Sequence, residues 1–182
     1  MTYPFYMTAE TKAKLEDLSR ISGQRYDSLN AAALCAASML VERMCDLSFP
    51  PELAARLALQ CGALQLEQDF DLFAGAVSGS FSLSHRSISD TDEAFATLRP
   101  GGMAILRTPG TGTGRYAVLC PSDDSQVWLL DPSYQRGRGI PRTQKRALRQ
   151  QNEYLTMPFD IFTQLYMNAD TVFHLYTARP LA

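Results

Sequence analysis

Histidine is scarce in this chain, with two residues, His85 and His174, among 182. Cysteine is not much commoner: Cys35, Cys45, Cys61 and Cys120 contain no C-x-x-C pair. So few ligands at such spacings argue against a zinc site and a disulfide framework, and no metal or cofactor is expected. No run reaches the roughly 18 to 20 consecutive apolar residues that a membrane-spanning helix requires. The opening MTYPFYM lacks a basic start and passes into AETKAKLEDL without an apolar stretch or cleavage site, so a cytoplasmic protein is expected. Charge of one sign is also lacking: seventeen Lys and Arg against nineteen Asp and Glu leave a net charge of -2. Whole-molecule charge therefore points to neither nucleic acid nor a membrane surface as partner.

What is present is the composition of an ordinary globular domain, 46% hydrophobic and 20% charged. At this length one sizeable core forms without staples, and with no repeat or linker in view a single domain over residues 1–182 is expected. A first helix is expected from Thr8 to about Ile21, capped by Thr8 and stopped at Gly23, with Leu15 and Leu18 on one side. The stretch from Ser28 to about Met44 is apolar on almost every side, which marks a helix buried in the domain centre. Pro50 and Pro51 open a third helix that Gly62 ends.

From Phe81 the pattern changes. FSLSHR alternates as a strand does, and DTDEAFATL reads as a short helix capped by Asp90 or Asp92. Residues 103–107, 115–120, 126–131 and 172–178 are rich in β-formers, with PSDDSQ as a hairpin loop between the second and third of these runs. PFDIFTQLY is expected to be a short helix before the last strand. Helices followed by an antiparallel meander define an α+β fold: a buried central helix packed on a C-terminal antiparallel sheet.

The glycine-rich TPGTGTGRY lacks a Gly-Lys-Ser/Thr ending and runs into a strand, so it reads as a flexible loop and not as a phosphate cradle. Between Asp131 and Glu153 stand six basic residues, Arg136, Arg138, Arg142, Lys145, Arg146 and Arg149, and no acidic one. The plain reading of segment 136–149 is a solvated loop; the functional one is docking of an acidic partner. The four cysteines read as small buried hydrophobes and the two histidines as structural strand residues. An active thiol hydrolase would instead use Cys35 as nucleophile with His85 or His174 as base, and needs Cys35 exposed with a histidine roughly 3 to 4 Å away.

Four features taken together resemble one family. They are Gln24 ahead of the buried helix, a turn into RYAVL, a hairpin, and the Asp-Pro of QVWLLDPSY. Their layout, from about Ile21 to Tyr176, resembles the papain-like peptidases that trim double-glycine leader peptides from bacteriocins. In that family a glutamine precedes the nucleophilic cysteine by six residues; the sixth residue after Gln24 is Asn30. A histidine opens the family's His-Tyr/Phe-x-Val-Val strand, and the match is Arg115-Tyr116-Ala117-Val118-Leu119. The family's aspartate is matched by Asp131, followed by Pro132.

The resemblance implies a papain-like fold that keeps Gln24 and Asp131 and lacks both reacting groups. An amide such as Asn30 is not nucleophilic, and arginine does not deprotonate to act as a base. The implied function is a catalytically inactive domain binding a peptide or protein partner through Gln24, Asn30, Arg115, Tyr116 and Asp131. Gln24 and the first helix amides would supply donors of the oxyanion-hole kind, and Arg115 a fixed positive charge. The structural alternative is an ion pair between Arg115 and Asp131 that replaces the family's His-Asp contact.

Overall fold

The computed structural model describes residues 9–22, 31–46, 48–60, 81–98, 102–109, 115–120, 125–132, 134, 140–151 and 154–180. Three helices come first: α1 (Ala9–Ser22), α2 (Ala31–Cys45) and α3 (Pro51–Gln60). They are followed by β1 (Phe81–Ile88), α4 (Thr91–Leu98), β2 (Met103–Thr108), β3 (Arg115–Leu119) and β4 (Val127–Leu130). The chain then forms α5 (Arg142–Lys145), β5 (Arg149–Gln151), β6 (Tyr154–Met157), α6 (Phe159–Tyr166) and β7 (Val172–Pro180).

The central helix is buried as its composition requires. Every residue from 32 to 41 is inside, including Leu34, Met39 and Leu40 at no more than 1% exposure. Each such side chain contributes about 1.5 to 3 kcal/mol relative to leaving it in water. Helix α2 lies against β2, β3 and β7 on one side and α3 on the other. Its alanines at 33, 36 and 37 are fully buried. It ends where Asp46 takes a left-handed φ of 52° and returns its N–H to the Glu42 carbonyl at 3.0 Å. The side chain of Glu42 then accepts the Phe49 N–H at 2.6 Å, tying down the turn into α3.

All ladders are antiparallel, and the seven-stranded sheet has the order β1-β7-β2-β3-β4-β6-β5. Strands β2, β3 and β4 form the expected meander, but the last strand returns to insert between β1 and β2. Strand alternation divides the core. Met103, Ile105, Tyr116, Val118, Leu130 and Tyr176 pack with α1 to α3, whereas Ala104, Leu106, Ala117, Leu119, Leu129 and Phe173 pack with α4 and α6. Burial on both faces is why these strands read as continuous apolar runs.

Two expectations need correction. Segment 136–149 is not all loop: its described part, residues 140–149, contains the single helical turn α5 and the first residue of β5, joined by turn and irregular residues. Strands β5 and β6 were not foreseen either, because Arg149–Gln151 carries no apolar alternation and is held by its ladder to β6. The capping choice in DTDEAFATL resolves to Asp90, whose Oδ1 accepts the Glu93 N–H at 2.8 Å. Among the described residues, no helix is long and apolar enough to cross a membrane.

Candidate functional site

The positions carried by the family resemblance fall in different places. Gln24 and Asn30 lie outside the described residues, as do Cys61, Arg136, Arg138 and most of the glycine-rich loop. Arg115 opens β3 opposite Thr108 in the β2 ladder, and its side chain is also outside the described residues. Tyr116 is fully buried among the residues packed with α2, so it forms part of the core.

Asp131 follows the last residue of β4 and is 4% exposed. A carboxylate so placed needs strong partners, since burying an unpaired charge costs several kcal/mol. One partner is the Tyr166 hydroxyl, which donates to Oδ2 at 2.8 Å from the last turn of α6. The Asp131 carbonyl accepts the Tyr134 N–H at 3.2 Å. Burial, and then the negative charge of Asp131, push the Tyr134 phenol above its usual pKa.

Helix α6 holds Tyr166 in place for local reasons. Pro158 supplies the first accepting carbonyl, taken by Phe162 N–H at 3.0 Å, and the apolar stripe Phe162 and Tyr166 is buried on the sheet. At its far end the Thr108 hydroxyl donates to the Tyr166 carbonyl. Asn168 donates to the Pro109 carbonyl at 2.6 Å and accepts the Asp170 N–H at 3.0 Å, which fastens the exit of α6 to the end of β2.

The thiols are placed as apolar residues. Cys35 is fully buried in α2, and Cys45 and Cys120 are 5% and 4% exposed. Burial, with the negative charge of Glu52 adding to it, pushes the Cys35 thiol up to about 12. Burial also raises Cys45. A thiol nucleophile requires the opposite shift.

The histidines, expected as structural strand residues, meet. Register pairs His85 with Tyr176 and Ser87 with His174, so all four share the sheet face toward α2. His85 Nε2 lies 3.1 Å from His174 Nδ1, and the Ser87 hydroxyl lies 3.2 Å from that same nitrogen. The His85 ring stacks on His174 at 5.3 Å between centroids and on Tyr176 at 4.9 Å. His174 is 5% exposed, His85 is half-buried and Ser87 is exposed. Alternation within β1 and β7 signals each pair, His85 with Ser87 and His174 with Tyr176. Nothing local signals that the two strands are neighbours.

Segment 142–149 presents Arg142, Lys145, Arg146 and Arg149 to solvent. Among the described residues, no ion pair links any of them to a carboxylate, unlike Arg86 with Glu93 at 2.9 Å or Lys14 with Glu10 at 3.0 Å. No group of three or more His, Cys, Asp or Glu placed to hold a metal occurs among the described residues. No protein family, curated protein or solved structure matches this chain.

Proposed function

We propose that this chain is a catalytically inactive papain-like domain that binds a peptide or protein partner at the end of its sheet, where β3 begins and β4 finishes. The observation that carries the reading is Asp131, a buried carboxylate fixed by Tyr166 immediately after β4, beside the strand that Arg115 opens. An immobilised negative charge there suits a site that orients an arginine toward an incoming group. Gln24 and Asn30 would add neutral donors, so the matching ligand chemistry is a peptide carbonyl or a terminal carboxylate. Tyr116 supports the site from within the core and makes no ligand contact.

The inactive half of the reading is supported by chemistry already given: an amide and a guanidinium stand where the family has its nucleophile and base. The alternative of a hydrolase using Cys35 asks for a thiolate from a thiol pushed to about 12. Calorimetric titration with peptides ending in a free Gly-Gly carboxylate, and with their amidated forms, tests the proposal. Binding of the free acids, weakened at least tenfold by Arg115→Ala and without any cleavage by mass spectrometry, is the expected result. Cleavage, no binding, or equal binding by the variant would overturn it.

A further inference from the structure

We propose that the α5 turn and strand β5 form a docking edge for an extended acidic peptide segment of another protein. The inference goes beyond the cleft reading and does not rest on it. Its basis is the coincidence of a basic cluster with the end of the sheet. Arg142, Lys145, Arg146 and Arg149 are exposed, and among the described residues none of them is paired with a carboxylate. Asp160, one helical turn before Gln164 on α6, is exposed and forms no ion pair with them either.

A solvated run of charge needs no fixed shape, but this one has it. The Pro141 carbonyl accepts the N–H groups of Gln144 at 3.1 Å and Lys145 at 3.0 Å, and the Gln144 carbonyl accepts those of Ala147 at 3.0 Å and Leu148 at 3.3 Å. The Gln144 side chain donates to Gln164 on α6 at 2.8 Å, and Leu148 is buried in the layer beneath that helix. The Arg149 guanidinium donates to the Leu148 carbonyl at 3.1 Å. The cations therefore stand on a turn that is already ordered, and a ligand does not have to order it on binding.

Strand β5 ends the sheet, and among the described residues its only ladder is with β6. In an antiparallel ladder alternate residues turn their N–H and C=O away from the partner, so at least one of Arg149, Gln150 and Gln151 directs both outward. A peptide backbone matches such a row of alternating donors and acceptors. Nucleic acid does not, and residues 142–151 contain no aromatic ring on which a base could stack. A second copy of β5 would bring its own cations against these, so like charge rejects self-pairing and favours a strand rich in Asp and Glu.

Fluorescence anisotropy of the whole chain with a labelled peptide of about ten residues, alternating Glu and Thr, tests the inference. Its ends are acetylated and amidated, so it offers no terminal carboxylate to Arg115. One peptide per chain is expected, bound more weakly as salt rises. The triple variant Arg142→Gln/Lys145→Gln/Arg146→Gln, which removes exposed groups alone, should bind roughly tenfold more weakly. Arg115→Ala should bind as the parent does, which separates this edge from the cleft. Amide hydrogen exchange should slow within 149–151 when the peptide is present. Failure to bind, undiminished binding by the triple variant, unslowed exchange in β5, or tighter binding of an oligothymidylate of equal charge would each overturn the proposal.

Discussion

The hydroxyl of Tyr166 donates a 2.8 Å hydrogen bond to the buried carboxylate of Asp131, joining the last turn of α6 to the end of β4 across 35 residues of sequence. Hydrogen bonds to a charged acceptor contribute about 1.5 to 3 kcal/mol, more than neutral ones. Tyr166→Phe keeps the ring, which stacks on Phe162 at 5.8 Å, and removes only the hydroxyl. It is expected to destabilise the fold by about 1.5 to 3 kcal/mol in urea unfolding, with an unchanged m-value. A loss below about 0.5 kcal/mol would mean that water replaces the phenol without cost.

Cys35 sets a pH dependence with a definite sign. Its thiol is raised from an ordinary value of 9.0 to about 12, because burial disfavours the thiolate. The unfolded thiol therefore ionises first as pH rises. The stability from this group is fully present below about pH 9 and is lost as pH climbs toward 12. In the folded protein at neutral pH, iodoacetamide should label Cys35 far more slowly than in a denatured control. Rapid labelling of folded Cys35 would restore the thiol-hydrolase reading.

Among the described residues, Ser38 Oγ in α2 and Thr156 Oγ1 in β6 are buried hydroxyls without a hydrogen-bond partner. Desolvating such a group without a bond costs about 1 to 3 kcal/mol. Ser38→Ala also improves helix propensity, and Thr156→Val preserves shape in a strand. Each is expected to raise the thermal midpoint, by about 2 to 4 °C for a chain of this size. A lower midpoint in either variant would point to a buried water bonded to that hydroxyl.

Phe162 and Phe159 lie on the same helix but differ in burial, at 0% and 43% exposure. Phe162 meets Phe95 edge-on at 5.8 Å and stacks with Tyr166, inside the layer beneath α6. Its replacement by alanine is expected to cost about 3 to 5 kcal/mol. Phe159→Ala loses an edge contact with Phe95 at 5.2 Å and should cost about 1 kcal/mol. Chemical denaturation of the pair checks the order; equal losses would place the main packing surface of α6 elsewhere.

Local sequence determined a good deal of this protein. The apolar character of residues 31–45, the proline start of α3 and the β-rich runs from 103 onward marked real elements, since a helix or strand is specified by the period of its side chains and by its caps. Burial of Cys35, Cys45 and Cys120 was likewise legible as the ordinary behaviour of cysteine. Segment 149–157 was not legible, because a short polar strand such as Arg149–Gln151 has no pattern and exists through its partner β6. Only the tertiary structure decided that β7 inserts between β1 and β2, so that His85 and His174 meet across 89 residues. It also decided that Asp131 is held by Tyr166. Periodicity states which face of a segment is apolar, whereas neighbours are chosen by the burial of every strand and helix at once, and that choice brings distant polar groups together.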